Sequence, residues 1–177
     1  EAEALGMSLT GSALIPAYYN ERLRSAFKSG EKIVELVRKG ITSRKIMTMD
    51  AIRNAIRILM AVGGSTNAVI HTCALAYELG MDPAKIMDEF EIISDQIPHI
   101  AKISPASVVY DSEDLYKAGG IPEVMKVIKD SLDLDVMTVT GKTLGENLAA
   151  YKNPYAPNPE IIRPLDNPHS RLGGLAI

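Results

Sequence analysis

The chain has 177 residues, of which 46% are apolar and 23% charged, and its net charge at pH 7 is −3. This length and balance predict one folded domain with a sizeable core and exclude a mainly disordered chain. Without a basic excess there is no sign of binding to nucleic acid, and no apolar run reaches the roughly 18 residues of a membrane span. The single cysteine, Cys73, has no partner for an internal disulfide, which predicts a reducing, cytoplasmic location.

The two ends predict that the sequence is a piece of a longer polypeptide. It begins at Glu1, without an initiator methionine, in what reads as an amphipathic segment. Its last residues, RLGGLAI, read as the start of a strand rather than as a tail. The alternative is a small protein that has been trimmed by processing.

The first predicted helix runs from about Tyr18 to Arg38, because its apolar residues keep rough helical spacing. We expect Gly30 to kink or divide it and Gly40 to end it. The apolar positions are Leu23, Phe27, Ile33, Val34 and Val37.

Two further helices are predicted on either side of a Gly63-Gly64-Ser65-Thr66-Asn67 turn. Thr48 is the expected N-cap of the first, which ends at the two glycines. Ser65 or Thr66 is the expected cap of the second. This second helix runs to Gly80 and is apolar on most of its faces, which predicts deep burial.

The rest of the chain alternates short helices with irregular connections. Asp82 and Pro83 open a helix, residues 95–110 read as a loop with short extended pieces, and Pro122 opens another helix. The segment LDVMTVTG, 134–141, is the best strand candidate, and Thr143 with Glu146 predicts a capping box. Five prolines between residues 152 and 174 predict an extended interdomain linker.

The glycine-rich turn admits two interpretations. Glycines let another group approach closely, and the start of the following helix exposes N–H groups and a positive dipole end, which suits a carboxylate or phosphate. In that case the Ser65 and Thr66 hydroxyls assist. Alternatively, the turn only joins two helices and its polar residues only cap. It is not a P-loop, since the lysine and the preceding strand are both missing.

Other candidate residues carry weaker patterns. His71 follows Asn67 by four residues on the same helical face, so it either points into a pocket or is a satisfied core histidine. Cys73 lacks a CxxC partner and reads as a small buried apolar residue. His99 and His169 lie in proline-containing loops without metal-ligand spacing, and we assign them no role.

An acidic cluster follows the loop at Asp111, Glu113 and Asp114. Such clusters hold divalent cations in some proteins, but the start of a solvated helix explains this one equally well. The Gly119-Gly120-Ile121-Pro122 turn either offers backbone N–H groups to a ligand or only turns the chain.

Four separated motifs resemble one known family. EALGMSLTGSALIPA, GGSTNAVIH, GGIPEVMK and IIRPLDNPHSRLGGLAI occur in the order typical of the dihydroxy-acid dehydratase/phosphogluconate dehydratase family. The resemblance covers essentially the whole chain. Two positions depart from it: Thr10 stands where the family usually has proline, and ISPASVVY departs from the usual Pro-Ser-Gly pattern.

The resemblance implies a hydro-lyase that removes water from a 2,3-dihydroxy acid to give a 2-keto acid, as in branched-chain amino-acid biosynthesis. It implies a homodimer with an iron–sulfur cluster and Mg²⁺, whose ligands and catalytic base lie in segments absent from this sequence, so the chain alone is expected to be inactive. It also favours a pocket-lining role for the turn, with substrate-binding residues Gly64, Ser65, Thr66, Asn67 and His71.

The resemblance also implies a fold class. Residues 1–150 are expected to form the mainly helical part of a larger α/β domain with few strands, and residues 151–177 a linker toward a β-rich C-terminal domain. Two alternatives to the dihydroxy-acid enzyme remain: a sugar-acid or phosphogluconate dehydratase of the same family, and a non-catalytic helical scaffold.

Overall fold

The computed structural model describes residues 1–175. Within this range the chain forms eight α-helices, and no regular β-strand. The α-helices are α1 (Asn20–Lys39), α2 (Ser43–Ile46), α3 (Met49–Val62), α4 (Asn67–Glu78), α5 (Pro83–Gln96), α6 (Ser112–Lys117), α7 (Gly120–Val127) and α8 (Leu144–Ala150), with a 3-10 helix, Lys129–Ser131, between the last two.

The mainly helical character with few strands is confirmed. The strand predicted at 134–141 is wrong: this segment makes a single antiparallel bridge, from Met137 to Thr143. No strand lies alongside it among the described residues, and the Thr138 side chain makes local hydrogen bonds instead. The Thr138 hydroxyl donates to the carbonyl oxygen of Lys142, and the Asn147 amide donates to the Thr138 hydroxyl, both within 2.9 Å.

Helix α3 forms the centre of the core. Nine of its fourteen residues are buried, and it packs against α5 and α7. Each fully buried isoleucine, such as Ile52 or Ile56, contributes about 1.5–3 kcal/mol to the free energy of unfolding. The buried Asn54 amide pairs with the backbone N–H and carbonyl of Asp133, both at 2.9 Å, so it also ties α3 to the loop that follows the 3-10 helix.

Helices α1, α3 and α5 begin or end at the predicted capping residues. Thr48 accepts a hydrogen bond from the N–H of Ala51, and Asp82 accepts one from Ala84 beside Pro83. Gly40 ends α1 in a left-handed conformation with φ of 62°. However, α1 continues through Gly30 as one helix, so the predicted division there is wrong.

The predicted deep burial of α4 is also wrong. Its buried side chains are Val69, Thr72 and Ala76, and the Thr72 hydroxyl donates to the Glu1 carboxylate at 2.7 Å. Ile70 and Tyr77 are 68% and 70% exposed. An apolar sequence shows that a helix has surface to bury, but it does not show which neighbour covers each face.

The C-terminal proline-rich segment packs against the helical core in two places. Its Ile161 is only 3% exposed, and antiparallel bridges join Ile162 to Ala101 and Ser170 to His99. The strand predicted at 171–177 does not form in residues 171–175, and residues 176–177 lie outside the described range.

Candidate functional site

The Gly63-Gly64 turn owes its glycines to close packing. Gly63 caps α3 with φ of 65°, a left-handed conformation that other residues resist. A Cβ atom on Gly63 would lie 2.8 Å from Nε2 of His99, and one on Gly64 would lie 2.7 Å from Cδ2 of Leu59. A side chain at either position would therefore displace a neighbour.

The same turn meets another glycine pair, Gly173-Gly174, near the end of the chain. A Cβ atom on Gly174 would lie only 2.6 Å from Cα of Gly63, so the two backbones are in direct contact. The N–H of Gly174 donates to the Met60 carbonyl at 2.8 Å, and that of Gly173 donates to Ser94 at 2.8 Å. Two motifs that are far apart in sequence, GGSTN and RLGG, thus pack directly against each other. We call this packed pair of glycine segments, residues 63–64 and 173–174, the base of the turn.

The polar residues of the turn lie on the solvent side of this base. Ser65, Thr66 and Asn67 are exposed, and Gly64 is half-buried. Thr66 stands at the N-cap of α4, but its side chain makes no capping hydrogen bond. The hydroxyl of Thr66 and the side-chain amide of Asn67 are therefore accessible to a ligand that binds at the turn.

Several backbone N–H groups at the start of α4 already donate hydrogen bonds within the turn. The N–H of Asn67 donates to the Ser65 hydroxyl at 3.2 Å, and that of Ala68 donates to the Ser65 carbonyl at 2.9 Å. The N–H of Val69 donates to the Thr66 carbonyl at 3.1 Å. These bonds favour recognition through side chains over recognition through the first N–H groups of α4.

His71 lies one helical turn after Asn67 and is exposed, so its interpretation as a core histidine is wrong. At this spacing the two side chains share a face of α4. Four of the five candidate binding residues, Ser65, Thr66, Asn67 and His71, are therefore exposed near the start of α4, and Gly64 beside them is half-buried.

His99 is a residue that sequence reasoning missed. It is buried beneath Gly63, with Nε2 3.1 Å from the Ala101 carbonyl oxygen, and its ring centroid lies 5.7 Å from that of His169. Burial lowers the pKa of His99, so the ring is neutral near pH 7. Its apolar neighbours in the sequence IPHIA were the only local sign that it would be buried.

The acidic cluster is the start of a helix, as one of its two interpretations predicted. Asp111 caps α6 in a capping box with Asp114. Glu113 accepts hydrogen bonds from the hydroxyl of Tyr18, from that of Tyr19 at 2.8 Å and from Lys117 at 2.7 Å. The bond from Lys117, followed by those from the tyrosines, lowers the pKa of Glu113 to about 2.

The described residues do not fit the metal groups that the family resemblance implies. Iron–sulfur clusters need several cysteine thiolates, and this chain has one cysteine. Cys73 is half-buried, its Sγ lies 3.9 Å from the Pro83 carbonyl, and burial raises its pKa, which disfavours the thiolate that binds metals. Among residues 1–175 no three histidine, cysteine, aspartate or glutamate side chains lie together as a metal site.

A cavity lies elsewhere on the protein. It has a volume of about 510 Å³ between residues 7–12 and α1, and its polar lining includes Ser12, Arg22, Ser29 and Lys32. The glycine turn does not line it. Within residues 1–175 no helix is long and apolar enough to cross a membrane.

Comparison with known proteins gives a consistent result along the chain. The family model described as "Dihydroxy-acid/6-phosphogluconate dehydratase N-terminal" matches residues 1–147. Curated proteins named dihydroxy-acid dehydratase from Carboxydothermus hydrogenoformans, Caldanaerobacter subterraneus and Acidothermus cellulolyticus are 48%, 46% and 49% identical to it. Each alignment covers 99% of this chain and 31% of the relative, so the chain spans less than a third of their length. The chain therefore belongs to the dihydroxy-acid/6-phosphogluconate dehydratase family and corresponds to part of its N-terminal region.

Proposed function

We propose that this chain is part of a dehydratase that removes water from a 2,3-dihydroxy acid to give a 2-keto acid. The observation that carries the proposal is the 46–49% identity, over 99% of the chain, to relatives named dihydroxy-acid dehydratase. In the complete enzyme the chain would be the mainly helical part of a larger α/β domain. We expect that enzyme to be a cytoplasmic homodimer of the branched-chain amino-acid pathway.

The role we propose for this chain is to bind substrate. Ser65, Thr66, Asn67 and His71 are exposed beside the half-buried Gly64, on a base that the glycine contacts hold rigid. Hydroxyl, amide and imidazole groups can donate hydrogen bonds to a carboxylate and to hydroxyl groups. Because the turn lies on an open surface, another part of the enzyme must supply the opposite wall of the pocket.

The groups that break the C–O bond would come from other segments. One half-buried cysteine and no metal-ligand cluster among residues 1–175 do not provide for an iron–sulfur cluster or Mg²⁺. We therefore place the cluster, the Mg²⁺ ligands and the catalytic base outside this chain. The 177-residue chain alone is expected to show no turnover of a dihydroxy acid, and measurable turnover would contradict this assignment.

The binding role is tested by Thr66→Ala in the full-length enzyme. The Thr66 side chain makes no capping hydrogen bond, so its loss should leave the unfolding midpoint unchanged. If the hydroxyl binds the substrate carboxylate, KM should rise about tenfold or more, because hydrogen bonds to charged groups contribute about 1.5–3 kcal/mol.

Thr143→Ala is the matched control, since Thr143 caps α8 and lies outside the proposed site. It should lower stability and leave KM unchanged. A Thr66→Ala enzyme with native KM, together with native KM in Asn67→Ala and His71→Ala, would overturn the proposed site. Activity on dihydroxy acids would be untouched by that result, so the site and the reaction are tested separately.

A second substrate class is favoured by the family description itself, which names 6-phosphogluconate beside dihydroxy acids. The full-length enzyme should be assayed against a branched 2,3-dihydroxy acid and an aldonic acid or its phosphate. A higher kcat/KM for the dihydroxy acid supports the first proposal, and the reverse order assigns the enzyme to sugar-acid dehydration.

A further inference from the structure

A second cavity lies between two segments of the chain, residues 102–110 and 160–169. Its volume is about 460 Å³, which is within the range of sites that bind small molecules. The loop after α5 forms one wall, and the C-terminal proline-rich segment forms the other. None of residues 63–67 lines it, so this cavity is separate from the glycine turn.

Hydrogen bonds between the two segments hold the walls of the cavity together. The backbone N–H of Arg163 donates to the Ile100 carbonyl oxygen at 2.8 Å. At the other end of the loop, the Tyr110 hydroxyl donates to the Glu160 carboxylate. The cavity is therefore formed in advance, which lowers the entropic cost of binding a ligand there.

Two positively charged side chains face this cavity without an ion-pair partner. Lys102 and Arg163 line it, and both are half-buried. Among residues 1–175 no carboxylate oxygen lies within 4.0 Å of either cation. The acidic residue in the lining, Glu160, is exposed and accepts the Tyr110 hydroxyl. Half-buried cations in a cleft attract an anion, because the low-dielectric walls strengthen their field.

His169 supplies an independent sign of a ligand in this cavity. It belongs to the lining, and its Nε2 atom is buried with no hydrogen-bond partner among the described residues. Buried polar atoms are nearly always paired in folded proteins, so an unpaired one requires an explanation. Burial, followed by the charge of Arg163, lowers the pKa of His169, and Lys102 contributes in the same direction. A bound anion would offset this repulsion between the basic groups.

We propose that this cavity binds the carboxylate or phosphate group of a small molecule, held by Arg163 and Lys102 and hydrogen-bonded by His169. The guanidinium of Arg163 can donate to two oxygens of such a group at once, and Lys102 adds a second charge. The exposed side chains of Val108 and Val109 line the loop wall, where they offer contact to an apolar part of the same molecule. The expected ligand is therefore a small oxyanion with a short aliphatic portion.

The charge of the cavity argues against cover by another part of the polypeptide. An exposed apolar surface gains free energy when protein covers it, whereas hydrated cations do not. Burying Lys102 and Arg163 in a protein contact would be unfavourable unless carboxylates paired with both. A carboxylate from another segment of the enzyme is thus the competing occupant, and it would prevent added anions from binding. The inference concerns these two segments and does not depend on which acid the enzyme dehydrates.

Hydrogen–deuterium exchange of the full-length enzyme tests the site. Inorganic phosphate and isovalerate are added separately at constant ionic strength, with chloride as the reference anion. Either anion should slow exchange in residues 103–110 and 160–169, because it bridges the two walls, and should leave α1 unchanged. The anion that protects these residues at the lower concentration identifies the ligand as a phosphate or a carboxylate.

Neutral variants of the two cations test how the anion is held. Arg163→Gln and Lys102→Gln should each raise the dissociation constant, read from the protection of residues 103–110, about tenfold or more. Arg38→Gln is the matched control, since Arg38 is exposed at the end of α1 and should leave the constant unchanged. Circular dichroism identifies a variant that has lost its fold, and the other variant then decides.

Two results would overturn the proposal. One is native protection in both Arg163→Gln and Lys102→Gln, which would show that these cations do not hold the anion. The other is the absence of protection by either anion in the unsubstituted enzyme, which would assign the cations to carboxylates from another segment of the enzyme.

Discussion

At the scale of single residues, a side chain added at a left-handed glycine can cost stability through backbone strain and through overlap with a neighbour. Comparing Gly63 with Gly80 distinguishes these two costs. Both have positive φ, 65° and 79°, but only the Cβ position of Gly63 is occupied by a neighbour, Nε2 of His99 at 2.8 Å. We expect Gly80→Ala to lower the free energy of unfolding by about 1 kcal/mol, from backbone strain alone. Gly63→Ala should cost about 3 kcal/mol, because overpacking adds to the strain.

Urea unfolding of the two variants gives this comparison. Equal losses of stability for Gly63→Ala and Gly80→Ala would show that His99 moves aside at no cost. In that case glycine would be needed at position 63 only for its left-handed backbone conformation, and the close packing around the turn would not be the reason for it.

The role of these glycines illustrates the limit of sequence reasoning about the site. The sequence identified the turn as unusual and left two interpretations, a capped turn and an anion-binding helix start. The contacts that explain Gly63 come from His99 and Gly174, which are far along the chain and follow no local pattern. The exposure of Ser65 and Thr66 likewise depends on tertiary packing, so the sequence predicted which residues lie here but not how they are held.

At the scale of elements, two threonines that begin helices should respond differently to truncation. The Thr143 hydroxyl accepts from the N–H of Glu146 at 3.2 Å, and Glu146 accepts from the N–H of Thr143 at 2.8 Å. Thr143→Ala should therefore cost about 1 kcal/mol in thermal or urea unfolding. Thr66→Ala should be close to neutral, because Thr66 makes no capping bond. A loss at Thr66 as large as that at Thr143 would show that Thr66 caps α4 in solution.

The helix ends were predictable because their chemistry is local. Thr48, Asp82 and Thr143 cap the helices that the sequence assigned to them, and Gly40 ends α1. Burial was not predictable in the same way. The apolar residues of α1 and α4 have the spacing of buried faces, yet parts of both faces are exposed, because periodicity does not specify the neighbour that covers them.

The contact between the start of α1 and α6 should depend on pH. Hydrogen bonds from Lys117, Tyr18 and Tyr19 lower the pKa of Glu113 to about 2 from an ordinary value of 4.5. A depressed carboxyl pKa stabilises the folded state above about pH 4.5, and this contribution is lost as the pH falls from 4.5 toward 2. Amide-exchange protection in the first turn of α1 should fall across this window.

Glu113→Gln is the control for this pH dependence. The variant lacks the titrating carboxylate, so protection in the first turn of α1 should start lower and stay nearly flat between pH 4.5 and 2. If the native protein and Glu113→Gln lose protection in parallel, another group is responsible for the change.

At the scale of the whole molecule, the fold is a helical core held together by returning loops. The buried face of α3 lies against α5 and α7, and the loop after α5 pairs with residues 161–174 near the end of the chain. Arg163 donates from its N–H to the Ile100 carbonyl at 2.8 Å, and Gly174 donates to Met60 at 2.8 Å. The C-terminal segment thus packs against the glycine turn on the side away from solvent. This contact connects the end of the chain to the proposed binding surface.

This contact predicts that the proline-rich C-terminal segment contributes to the free energy of unfolding, although its composition is that of a linker. Ile161 is 3% exposed and Leu165 is 50% exposed, although both lie among the same prolines. Ile161→Ala should lower the free energy of unfolding by about 3 kcal/mol, because a core cavity remains where the side chain packed. Leu165→Ala should change it by less than about 0.5 kcal/mol. Losses below about 0.5 kcal/mol at both positions, in urea unfolding, would show that residues 151–177 behave as a free linker and do not stabilise the helical core.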